Sequence, residues 1–155
     1  MTDAVDTSLK ERLARRRGEL RAERTIDIPV PGYEDSVVAR YRPLSYHALR
    51  RIGKRADQEK DEIQAELNMA VDTLINACEG LYGRDENGGL SPLGYVWNKK
   101  AAVELFGVPE DEAVDARSAL LSVFPSEMLA VLHWSEYSKQ TQVAQAQIED
   151  QLQGE

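Results

Sequence analysis

The stretch RTIDIPVPGYEDSVVARYRPLS, from Arg24 to Ser45, constrains the fold more than any other part of the chain, because it reads as β-structure inside a sequence that otherwise reads as helix. Ile26, Ile28 and Val30 alternate with Asp27 and Pro29, and Val38, Arg40 and Arg42 flank Ala39 and Tyr41, on either side of Pro31-Gly32-Tyr33-Glu34-Asp35. Period-two alternation around a turn of that composition predicts a β-hairpin over 25–43. Pro29 and Pro31 cannot donate to a ladder, so the first strand must lie at an edge or end early. Two strands alone are marginal in water. The remaining segments therefore have to cover them, and those segments are helical.

The strongest helical signal runs from about Asp57 to Leu81. Ile63, Leu67, Ala70, Val71, Leu74, Ile75, Cys78 and Leu81 recur at steps of three and four, while Asp61, Glu62, Glu66, Asp72 and Glu79 take other faces. This spacing predicts an amphipathic helix of about six turns that forms the spine of the core. Ahead of it, Pro43 stops the second strand and Ser45 caps a helix through Tyr46, Leu49 and Ile52. Behind it, Asn87-Gly88-Gly89 supplies a turn, and Leu90 to Trp97 reads as loop. Short helices are expected over Asn98 to Phe106, closed by Gly107, and over Asp111 to Val123. Pro125 fits the first turn of a last helix that presents Met128, Leu129, Val131, Leu132 and Trp134.

The two ends differ from this middle. Met1 to Thr7 carries no periodicity and reads as a loose terminus, and Ser8-Leu9-Lys10-Glu11 has the form of a capping box that starts a helix. That helix holds only Leu9, Leu13 and Leu20 as large apolar residues, so it buries little alone and is either exposed or docked on another subunit. Residues 138–153 include six glutamines among sparse apolar points; this tail is a frayed helix or a disordered segment until something binds it. The expected organisation is thus an exposed N-terminal helix or arm over 1–24, a helical, bundle-like core over 25–137 containing the hairpin, and a polar tail over 138–155. The fold class is mainly α with a small N-terminal β-hairpin, that is, α+β in a single domain. A chain of 155 residues, 42% apolar and 30% charged, is compatible with one such core.

Chemistry is scarce. His47, His133 and Cys78 are the only histidines and cysteine, and they stand in no metal-ligand spacing. Cys78 allows no intrachain disulfide and reads as a small buried hydrophobe. The chain has no phosphate-cradling glycine loop, no serine-nucleophile setting and no complete calcium loop. The acidic residues from Glu59 to Glu66 read as a solvated face. No catalytic residue, cofactor or metal is expected, and no enzyme. Neither a membrane span nor a signal peptide is visible, which predicts a cytoplasmic protein.

What stands out is charge. Residues 1–55 hold 13 basic against 8 acidic side chains, and residues 56–155 hold 6 against 19, within a net charge of -8. Arg15, Arg16, Arg50 and Arg51 belong to basic clusters suited to an acidic protein surface or to phosphates. An overall acidic chain without an aromatic stripe among those arginines makes nucleic acid the weaker option. Trp134 and Tyr137 read as core against the long helix or as anchors for a partner. The candidate partner-binding residues are therefore Arg15, Arg16, Arg50, Arg51, Trp134 and Tyr137. A basic front and an acidic back also permit copies to associate head to tail.

The order of SLKERLARRRGELRAER, then RTIDIPVPGYEDSVVARYRPLSYHALRRIGKR, then a helix ending DTLINACEGLY, then SVFPSEMLAVLHWSEYS resembles the tail assembly chaperones of long, non-contractile-tailed bacteriophages of actinobacteria. The likeness spans about Ser8 to Tyr137. It implies a non-catalytic protein of the host cytoplasm that coats or binds the tape measure protein, helps recruit tail tube subunits and is absent from the finished virion; the head-to-tail association that the charge asymmetry permits would then run along that client. It also implies a programmed frameshift near Gly154-Glu155 that yields a minority longer product. A structural head-tail or tail component, or a small nucleic-acid-binding regulator, are the alternatives.

Overall fold

The computed structural model describes residues 2–153, with side chains described for 7–143, 150 and 153. Its elements run α1 (Thr2–Glu23), β1 (Ile26–Pro29), β2 (Val37–Tyr41), α2 (Tyr46–Asp57), α3 (Glu62–Ala77), β3 (Cys78–Arg84), β4 (Leu90–Tyr95), a π-helical turn (Ala101–Leu105), a 3-10 turn (Glu110–Glu112), α4 (Ala116–Val123) and α5 (Glu127–Gln153). The four strands form one antiparallel sheet in the order β1-β2-β3-β4.

The architecture is α+β, but the sheet is twice the size expected. β1 and β2 pair through Ile26↔Tyr41, Asp27↔Arg40, Ile28↔Ala39 and Pro29↔Val38, and β3 and β4 extend that pair. A two-stranded hairpin under a helical bundle is thus replaced by a sheet that shares its core with helices. Two segments account for the difference. The helix expected to run to Leu81 stops at Ala77, where Cys78 turns to extended backbone and opens β3. The segment Leu90 to Trp97, read as loop, contains β4.

The core lies between one face of this sheet and three helices. Ile26, Ile28, Ala39, Tyr41 and Leu81 from the strands join Leu67, Val71 and Leu74 of α3, Leu120 and Val123 of α4, and Ala130 and Tyr137 of α5 in one buried cluster. Each large aliphatic residue buried this way contributes about 1.5–3 kcal/mol. On the other face, the Arg40 guanidinium donates to both Asp27 carboxylate oxygens, at 2.8 and 3.0 Å, and lies 4.1 Å from the centre of the Tyr82 ring.

Helix boundaries follow side-chain caps. Asp61 accepts from the N–H groups of Ile63 and Gln64, and Asp115 and Ser118 form a reciprocal capping box. Pro125 does not enter the last helix. Ser126 caps it instead, its hydroxyl accepting from the Leu129 N–H at 3.3 Å. At the N-terminus the helix begins at Thr2, so Ser8 is internal and the expected loose segment is helical. The glutamine-rich segment continues α5 to Gln153, in keeping with the good helix propensity of glutamine. Gly154 and Glu155, where the resemblance implies a frameshift, lie outside the described residues.

Candidate partner-binding surface

The one polar constellation at the centre of the molecule is sealed. The Trp97 indole N–H donates to the Tyr41 hydroxyl oxygen at 2.8 Å, and the Tyr41 oxygen lies 2.7 Å from His133 Nε2. Indole nitrogen can only donate. With its oxygen accepting from the indole, the buried Tyr41 hydroxyl finds an acceptor for its own proton only at Nε2; that pairing assigns the ring proton of His133 to Nδ1, which is buried and has no partner among the described residues. Burial pushes the His133 imidazole from its ordinary 6.5 down to about 4, and burial raises the Tyr41 hydroxyl well above its ordinary range, with Cys78 nearby adding to the rise. Tyr41 is fully buried and Trp97 and His133 nearly so. The trio is closed to solvent and ties β2 to α5 and to the segment after β4. Among the described residues there is no group of three His, Cys, Asp or Glu that could hold a metal ion, and no helix is long and apolar enough to cross a membrane.

Two of the six candidate residues belong to the body. Tyr137, considered as a partner anchor, is 3% exposed and donates its hydroxyl proton to the Arg42 carbonyl at 2.9 Å. It stands 5.6 Å from the Tyr41 ring in an edge-on arrangement, so its role is packing. Trp134 is half-buried and packs against the core.

The four arginines separate onto two helices. Arg50 and Arg51 sit on α2, whose start is fixed by Ser45: its hydroxyl oxygen accepts from the Ala48 N–H at 3.1 Å. Ile52 and Ala56, four apart, bury one face of α2, and α2 packs on α3. The other face carries His47, Arg50, Arg51, Lys54, Arg55 and Gln58 along a shallow open groove. These positions follow the three-and-four spacing of a single helix face. None of the four cations has an ion-pair partner among the described residues. Lys54 and Arg55 in the last turn complement the helix dipole, but Arg50 and Arg51 have no such local use. Tyr46 and Leu49 are exposed at the same end of the helix.

Arg15 and Arg16 belong to α1, in which every residue from Thr7 to Glu23 is exposed. The arm is tied to the body near its base, where the Arg21 guanidinium donates to Glu79 at 3.0 Å and a cleft is lined by Arg17, Leu20, Arg24, Arg42 and Pro43. Arg16 is not a free cation: it lies 3.2 Å from Glu19 and 3.7 Å from Glu23.

Sequence reasoning missed two surface features. Ile63, assigned to the buried stripe of α3, is 80% exposed, because it falls in the first turn of a helix whose buried residues begin at Leu67. Tyr46, placed at the start of its helix with no side assigned to it, stands in solvent. A hydrophobic residue amid Glu59, Asp61, Glu62 and Glu66 is the only signal in the sequence that could have marked Ile63 as a surface position.

Comparison with protein-family models, with curated proteins and with solved structures returns no match.

Proposed function

We propose that this protein is a non-catalytic assembly chaperone for bacteriophage tails, holding a long helical tape measure protein in the bacterial cytoplasm while tail tube subunits are recruited to it. The observation that carries this reading is the outer face of α2. Four cations at helical spacing, unpaired among the described residues and bordered by exposed Tyr46, form a surface for an acidic amphipathic helix. Tyrosine and arginine are the residues most often found at the energetic centre of such contacts. A client many helical turns long needs repeated moderate contacts, which sum through effective concentration. The resemblance in segment order to tail assembly chaperones supports the choice of client, and the buried state of the Trp97-Tyr41-His133 trio supports a role without turnover.

Co-expression with a tape measure fragment tests this. The intact protein should move the fragment from pellet to supernatant, and R50E/R51E should lose that effect while keeping its own melting temperature. An unchanged distribution of the fragment with the intact protein would refute the reading. The same cations could instead meet nucleic-acid phosphates, the second reading the α2 face supports. In that case a mobility-shift assay would show binding that falls steeply with added salt.

A further inference from the structure

We infer that the α1 arm of one copy docks on the acid-ringed surface around Ile63 of a second copy, in a head-to-tail contact that needs no client. The arm is the starting point. Away from its base, where Arg21 and Leu20 meet the body, the arm has no cover among the described residues; such a helix is marginal in water, and Gly18 weakens it further. Leu9 is 44% and Leu13 60% exposed, and neither belongs to the core cluster or packs on it.

At 100° per residue, Leu9, Leu13 and Leu20 fall within an arc of about 40°. Arg16 fills the gap between them, its charge held by Glu19 and Glu23, so its stem can extend the apolar stripe. Arg12 flanks the stripe on one side, and Lys10 and Arg17 flank it on the other. Arg15 points away from it.

This distribution decides what the stripe can meet. Two arms paired along their leucines would bring Arg12 and Arg17 of one against Arg12 and Arg17 of the other, and like charges beside a helical seam oppose pairing. The partner surface must be apolar at its centre and acidic around it. The chain itself carries such a surface. Residues 1–24 hold 7 basic and 5 acidic side chains, whereas residues 25–155 hold 12 basic and 22 acidic. Within that acidic body, Ile63 is the most exposed large apolar residue, and Glu59, Asp61, Glu62 and Glu66 around it are all exposed and without ion-pair partners among the described residues. Lys60 is the only cation among them. Leucine in the arm matches isoleucine in the patch, and the flanking arginines match the carboxylates. Arm and patch are different surfaces, so the contact is heterologous and leaves one of each free for the next copy.

Sedimentation of the full chain alone tests this separately from client solubilisation, so either reading can fail without the other. At about 0.1 M salt the mean mass should rise above the 17.4 kDa monomer with concentration. Near about 1 M salt, where the screening length falls from about 10 to about 3 Å, it should return to the monomer. L13D, R12E/R17E and E62K/E66K should each remain monomeric. An equimolar mixture of R12E/R17E with E62K/E66K should associate again, because the unaltered arm of the second variant meets the unaltered patch of the first and the acidic arm of the first meets the basic patch of the second. A wild-type chain that stays monomeric at every concentration overturns the inference. So does an E62K/E66K chain that associates like wild type, or a mixture that fails to pair.

Discussion

Burying His133 makes the stability of this protein depend on pH in a calculable way. The unfolded chain holds the imidazole proton with the ordinary value of 6.5, and the folded chain with about 4. Between those values the unfolded state binds more protons, so stability rises with pH through the window. It is complete above 6.5 and drains away as pH falls toward 4. The whole span is worth roughly 3 kcal/mol, and about 2 kcal/mol of it is gone at pH 5. With a urea dependence of about 2 kcal/mol per molar for a chain of this size, the unfolding midpoint should fall by about 1 M between pH 8 and pH 5 on this account. His133→Phe isolates the effect. It keeps an aromatic ring in edge contact with Tyr41 and Phe124, both 5.4 Å away, but cannot titrate. It also leaves the Tyr41 hydroxyl without its acceptor, a cost of about 1–3 kcal/mol that is the same at every pH. Urea melts of both proteins at pH 8, 6.5 and 5 should therefore converge as pH falls. Parallel curves across that range would refute the assignment of a buried neutral imidazole.

Tyr41→Phe should destabilise by about 2–4 kcal/mol in urea melts, because it strands both the Trp97 N–H and His133 Nε2 in the core; a loss below about 0.5 kcal/mol would mean that the three groups are not linked. Gly32→Ala should lower the melting temperature by about 5 °C: Gly32 has φ 89, and an added Cβ would lie 2.9 Å from Pro125 Cγ. Cys78 should resist iodoacetamide at pH 8 until the chain unfolds, since the thiol is buried and burial pushes it up to about 11. Fast labelling without denaturant would contradict its place in the core.

The parts of the fold that could be read from sequence are those where local chemistry and tertiary context agree. Alternation gave β1 and β2, Ser45 gave the start of α2, and Gly107, at φ 73, closes the turn ahead of it as its position before Pro109 implies. β3 was hidden by a coincidence of spacing. Between Arg40 and Tyr41 the β2–β3 register shifts, so Tyr41 pairs with Cys78 and Ala39 with Leu81, with one extra residue on β3. A bulge turns the two-residue period of a strand into a three-residue step. Cys78 and Leu81 thus both face inward while continuing the three-and-four pattern of α3. β4 was hidden by composition, because Pro92 and Gly94, the latter at φ 80, contradict a strand except at a sheet edge. In the candidate surface, Arg50 and Arg51 were legible from their clustering, whereas Tyr137 was not: a tyrosine that anchors a partner and one that satisfies the Arg42 carbonyl look alike in one dimension.

The borders of the sheet bear on how copies of this chain can meet. Val30 donates inward to Val37, so by alternation the missing amide of Pro29 falls on the open side of β1, and Pro92 and Gly94 break the opposite border. With both margins interrupted, backbone-to-backbone growth at either side is hindered. Any contact between crowded copies then falls to side chains, which would keep it reversible and responsive to ionic conditions.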